Sequence, residues 1–270
     1  MRASVGPVPG AGGVWALSMV LAGFLAAGFL AGCAGPSDRP LPGAVDLERV
    51  RLEFPTDSPG ASGTAVLEYP IVRSLKDPTV RDAVNARIGP AGLFEGRDAE
   101  GLRAAFAAGE RPFDEARAEA VYNGRGILQV VWRIQSTGSY TAVSRKTVTV
   151  DTRNGALLGS EYMFRDDLEV VRFVQPKTVP ALEEAVRALV AAHPEEESMI
   201  RSLTSGIEYT PDLLFEAELR EDGMVFVLPL DFPHAFKALE GEPVRLFIPW
   251  KDLKPFSYPG SILERFPAFR

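Results

Sequence analysis

An α+β domain built on an antiparallel sheet is the fold class this sequence predicts, and three stretches predict it. Residues 118–164 read as a strand meander. Ile127, Gln129, Val131 and Arg133 alternate there with Leu128, Val130, Trp132 and Ile134, a run rich in β-branched and aromatic residues. Residues 176–192 carry Leu182, Val186, Leu189 and Val190 at helical spacing, with Glu183, Glu184 and Arg187 on the other side. Phe215 to Leu219 and Met224 to Leu230 flank Glu221-Asp222-Gly223, where Asp-Gly marks a hairpin turn.

The remaining elements follow in chain order. Val45 to Phe54 predicts a first strand, with Val50, Leu52 and Phe54 in alternation, and Thr64 to Tyr69 a second. Asp57-Ser58-Pro59-Gly60 is the turn between them. Asp77 and Pro78 open a helix as N-cap and first helical residue. Val80, Val84 and Ile88 form its buried stripe, and Gly89-Pro90 ends it. Residues 101–108 predict a short helix with Leu102 and Phe106 inward, and residues 110–120 are charged and ambiguous.

In the meander, Ala142 to Val150 alternates again, and Arg145, Thr147 and Thr149 share one face. Asn154-Gly155 predicts a hairpin returning through Leu157 and Leu158. His193-Pro194 closes the long helix, and Met199, Ile200 and Leu203 suggest a short one. Val244, Leu246 and Ile248 alternate in a last strand, residues 250–256 make a helical turn, and the rest reads as a tail.

The N-terminus reads as an address. An apolar run from Val14 to Ala31 holds Ser18 as its one polar side chain and ends Leu30-Ala31-Gly32-Cys33. This resembles a bacterial lipoprotein signal. The resemblance implies cleavage before Cys33, diacylglycerol on its sulfur and an acyl group on its amine. Residues 1–32 are then the signal peptide, 33–44 the lipidated cysteine with a Pro-rich tether, and 45–270 the folded domain. That domain divides into parts of about 45–125 and 126–259. An uncleaved anchor is the alternative, but the 18-residue run is short for a span and is broken by Gly23 and Gly28. Ala34 after Cys33 resembles an outer-membrane sorting signal in a diderm; in a monoderm the protein would sit on the outer face of the plasma membrane.

The charge limits the partners. The chain carries −7, and its first 32 residues hold one Arg and no acid, leaving −8 (−7 minus +1) for the remainder. That balance argues against nucleic acid. Cys33 is the only cysteine, so neither an internal disulfide nor a thiolate metal cluster is expected. Neither His193 nor His234 sits in a recognisable catalytic or zinc motif. No catalytic residue, metal or cofactor is therefore assigned. Phe232, His234 and Phe236 in the loop 231–243, with Tyr140, are the candidate partner-binding residues, since aromatic anchors dominate interfaces.

Three blocks together resemble the extracytoplasmic domain of the RsiV/PdaC type. They are LEYPIVRSLKDPTVRDAVNARI from Leu67 to Ile88, VYNGRGILQVVWRIQSTGSYT with VTVDTRNGALLGSEYMF, and residues 222–256. Where that family often carries Gly-Gly-Ala-His, this chain has Gly138-Ser139-Tyr140-Thr141-Ala142. A role tied to that His does not carry over. The resemblance implies a non-catalytic binding module on a lipid anchor, recognising a protein or cell-wall ligand such as lysozyme. The alternative is a wall-acting hydrolase or deacetylase using Asp231 and His234.

Overall fold

The computed structural model describes residues 40–58, 61–137, 141–230, 232–233, 236 and 242–269. Among them, no helix is long and apolar enough to cross a membrane. The architecture is α+β. Five strands form one sheet in chain order: β1 (Leu47–Ser58), β2 (Ala61–Val72), β3 (Glu115–Gly124), β4 (Ile127–Thr137) and β5 (Thr141–Asp151). Three more, β6 (Glu218–Leu219), β7 (Gly223–Leu228) and β8 (Val244–Pro249), form a small antiparallel sheet.

The large sheet is antiparallel except at β2 and β3, which run parallel with Leu67 beside Ala116. The reason is the connection. Between these strands lie α1 (Pro78–Ile88), α2 (Pro90–Leu93) and α3 (Ala99–Ala107), and a helical crossover returns the chain in the same direction. The ambiguous segment after residue 110 becomes β3.

Local chemistry fixes the helices. The Asp77 carboxylate accepts the Thr79 and Val80 amides, capping α1 as expected. Asn85, off the buried stripe, accepts the Val72 amide at 2.7 Å and donates to the Val72 carbonyl at 3.1 Å, so it ties α1 to the end of β2. Asn123 makes the same bidentate contact with Val45.

Two expectations are corrected. The hairpin predicted at Asn154-Gly155 is a turn followed by one bridge, Val150 to Leu157, and a 3-10 turn at Ser160–Tyr162. Gly155, at φ +76°, lies so close to α1 that a Cβ would fall 2.8 Å from the Ala83 methyl. The tight hairpin is instead at Arg125-Gly126, both at positive φ (57° and 73°), which is the type I′ geometry favoured between twisted strands. Second, the long helix does not begin at Pro176. Helix α4 runs Asp167–Ala192, with Asp166 accepting the Leu168 amide at 2.8 Å. Pro176 and Pro180 lie inside it on the exposed face, where water can take the carbonyls they leave unpaired. Helix α5 (Glu197–Thr204) packs on α4, and α6 (Trp250–Leu253) follows β8.

The sheet separates two cores. On one face, Leu128, Val130 and Trp132 meet Phe54, Ile88, Leu102 and Phe113. On the other, Ile127 and Tyr122 meet Val170, Val174, Leu219, Phe226 and Trp250. The expected tail contributes to this second core: Ile262, Leu263 and Phe266 are buried, and the Phe266 ring lies 4.8 Å from Trp250. Gln129 joins the two sheets. It donates to the Thr149 hydroxyl and the Ala217 carbonyl and accepts the Leu219 amide at 2.7 Å.

Candidate functional site

The second sheet covers only part of the large sheet's outer face. The uncovered part is a groove of about 730 Å³. Its floor comes from alternate residues of three strands: Glu115, Arg117 and Glu119 on β3, Val131, Arg133 and Gln135 on β4, and Val143 and Arg145 on β5. Its rim holds Glu218, Glu242 and Arg245.

Register makes this floor unusual. Arg117 stands opposite Arg133, and Arg133 opposite Arg145. Three guanidinium side chains thus line up across strands about 4.8 Å apart. Like charges directly opposed destabilise a sheet. The counter-charges are uneven. Arg145 pairs with Glu216 and, at 2.9 Å, with Glu218, and Arg245 also pairs with Glu218. Arg117 lies against Glu115 on its own strand. Arg133, in the middle, has only Glu242 at 3.7 Å among the described residues, and both side chains are mostly exposed, at 61% and 80%.

Burial pushes the Glu216 carboxyl above the usual range, and the Arg145 guanidinium only partly offsets this. Burial also acts to raise Glu218, but its pairs with Arg245 and Arg145 outweigh it and hold that carboxyl low. These two acids fix the rim. Among the described residues Arg133 is the groove guanidinium least engaged, and it can meet carboxylates and backbone carbonyls.

A hollow of about 820 Å³ is lined by Pro42, Gly43, Arg125 and Arg265, among others. Glu221 holds the first guanidinium and Asp151 the second, at 2.5 Å. Among the described residues, no cluster of three or more His, Cys, Asp or Glu could hold a metal ion.

The sequence-predicted site residues fare unevenly. Phe232 is buried, 1% exposed, so it fills the interior and offers a partner no surface. Phe236 is half-buried. Cys33, Tyr140, Asp231 and His234 lie outside the described residues. Sequence reasoning missed the arginine row. Alternation placed Arg133 and Arg145 on strand faces, but only the register shows that they stand side by side with Arg117.

No protein-family model matches the chain, and no curated protein matches it. Several solved structures are similar, two of them from one family. A DUF3298 family protein from Pseudomonas aeruginosa PAO1 aligns over 83% of this chain and 97% of its own, at 15% identity and a TM-score of 0.51. A member of the same family from Bacteroides fragilis NCTC 9343 aligns over 84% and 98%, at 16% identity and a TM-score of 0.48. The first shares the fold.

Proposed function

We propose that this chain is an envelope-anchored lipoprotein whose folded domain, of the RsiV/PdaC type, binds a protein partner in the sheet-face groove without performing a reaction. The lipobox ending at Cys33 supports the anchor. The Arg117–Arg133–Arg145 row supports the groove. Arg145 ties β5 to Glu216 and Glu218 and so serves the fold, but Arg133 stands between two like charges with one loosely held counter-charge among the described residues, and a ligand is the reason we give for it. Partner recognition by such a face gains specificity and on-rate from charge complementarity.

The resemblance makes a cationic wall enzyme of the lysozyme type the first partner to try; the net acidity of the mature chain favours its approach, while the arginine row has to meet carboxylates and backbone carbonyls on its surface. Titration calorimetry with C-type lysozyme, at low and physiological salt, tests this with wild type and Arg133→Glu. Saturable heat at physiological salt that the variant loses supports the reading. No heat at either salt removes lysozyme as the partner, and heat confined to low salt indicates bulk electrostatics. The anchor has its own test. Cys33→Ser should accumulate as a full-length precursor that takes up no fatty acid, and normal processing of that variant would remove the lipoprotein reading.

A second reading, a wall-acting hydrolase, has one observation in its favour: Glu216 and Glu218 are neighbours whose acidities are pushed apart. Against it, both Glu218 oxygens are held by guanidinium groups. Glu216→Gln should leave partner binding intact, and any wall-cleaving activity lost in that variant would favour the enzyme.

A further inference from the structure

The rim of the groove is also an edge of the sheet. The lower half of β5 is covered by the chain that follows it. The Leu158 amide donates to the Thr149 carbonyl at 2.9 Å, and Leu157 bridges Val150. The upper half, residues 141–147, has no such cover among the described residues.

Two bonds establish which backbone groups point outward. Thr149 turns its carbonyl to Leu158, away from β4. Gln135, the partner of Val143, turns its carbonyl to Asp114, towards β3. Residues opposite each other in an antiparallel ladder alternate between bonded and non-bonded pairs. By that alternation Thr141, Val143, Arg145 and Thr147 each turn an N–H and a C=O to the open side.

Proteins usually blunt such an edge. The opposite edge, β1, is blunted: it carries Arg49, Arg51 and Glu53 in ion pairs, with Pro55 beyond. The upper part of β5 instead presents Val143, 67% exposed and the most exposed large apolar side chain among the described residues. On the other face of the same segment, the Lys146 ammonium makes no ion pair among the described residues and reaches only the Gly92 carbonyl, at 3.5 Å.

We propose that the open edge of β5 receives an extended segment of the partner protein as a sixth, antiparallel strand, with an acidic residue opposite Lys146 and an apolar residue three positions later opposite Val143. Strand addition supplies main-chain bonds for affinity, and alternate side chains supply specificity. The spacing follows from antiparallel register. Stepping back along β5 from Lys146 to Val143 steps forward along the partner. A second copy of this chain fits poorly, because residues 141–150 contain no acid to meet Lys146. The inference deepens the partner-binding reading and rests on it, but it concerns the edge rather than the arginine row.

The test uses the full-length protein in detergent and two synthetic heptapeptides of Thr and Val. One carries Glu three residues before its central Val, and the other carries Lys in place of that Glu. Calorimetry and hydrogen exchange by mass spectrometry are the readouts. The Glu peptide should bind saturably, at least tenfold tighter than the Lys peptide, and protect the amides of Thr141, Val143 and Arg145. Val143→Pro removes an outward N–H that β4 does not use, so it should keep the wild-type melting profile yet weaken binding at least tenfold. Lys146→Glu should reverse the peptide preference, which keeps the proposal testable if the proline variant misfolds. Arg133→Glu should leave peptide binding within about twofold, which separates failure at the edge from failure at the groove. No saturable binding, protection mapping elsewhere, or an unchanged preference in Lys146→Glu overturns the proposal. So does a concentration-dependent dimer of the wild type that Val143→Pro abolishes, since the edge would then be filled by a second copy.

Discussion

The two faces of the large sheet are the same strands read at alternate residues, and they are built on opposite terms. On the helix side, β4 buries Leu128, Val130 and Trp132 beneath α1–α3, with Phe54, Phe106 and Phe113 interlocked at ring distances of 4.8 to 6.0 Å. On the outer side, the same strand passes from Ile127 and Gln129, covered by the second sheet, to Arg133, 61% exposed in a groove. One face spends its side chains on stability. The other stops doing so half-way along, at the point where the cover ends. The contrast is sharp enough to rank mutations by position along a single strand.

The largest effect is expected at the helix-side core. Trp132 is fully buried, donates its indole N–H to the Ile88 carbonyl at 3.1 Å, and stacks near Tyr69. Trp132→Ala should cost about 3–5 kcal/mol, as large-to-small core changes do, and denaturant unfolding measures it. A loss below about 1 kcal/mol would mean that this face is not the stability core. Gln129→Leu should come next. It is apolar and of similar size, but it strands the Ala217 carbonyl and the Leu219 amide away from water. About 2–3 kcal/mol is expected, because orphaned buried groups lose their hydration without replacement.

Much of this contrast was legible in the sequence. The alternation of β4 assigned Trp132 and Arg133 to opposite faces, and both sheets announced themselves through β-branched runs and the Asp222-Gly223 turn. What could not be read was long-range. Asn123 and Gln129 look like ordinary strand polar residues until Val45 and Ala217 arrive beside them. Pro176 imitates a helix start because its local preference is for that position, while nine helical residues precede it in α4. Phe232 looked like a loop anchor because composition carries no information on burial. The arginine row is a fact of register, which no local pattern states.

The acid pair at the groove rim gives a pH test of intermediate size. Glu218 is held low by Arg245 and Arg145 in spite of its burial, so its contribution is present above its unfolded value of about 4.3 and is lost as pH falls through the folded one. Glu216 is raised by burial, so its contribution has the opposite sign, being present below the unfolded value and lost as pH rises through the folded one. Glu218→Gln should therefore flatten the acid limb of the stability profile and destabilise the protein at pH 7. Glu216→Gln should cost less at pH 7. Melting temperatures between pH 3 and 8 check both, and equal losses at pH 7 would refute the assigned asymmetry.

The smallest effect on stability is the most telling for the outer face. Arg133 stands between Arg117 and Arg145, and its one counter-charge among the described residues is loosely held at 3.7 Å. An exposed ion pair of that kind contributes little, whereas two like charges in opposing positions count against the sheet. Arg133→Ala should accordingly change stability by no more than about 0.5 kcal/mol, and in the stabilising direction at low ionic strength. Added salt should shrink the gain without abolishing it, since the neighbouring guanidinium groups lie within the screening length of about 10 Å at 0.1 M. Chemical denaturation at low and moderate salt reads the difference directly. A clear loss of stability would make Arg133 part of the scaffold and leave the row without a residue kept for a ligand. A neutral or favourable change, accompanied by lost partner binding, would mark the place on β4 where the strand stops serving the fold.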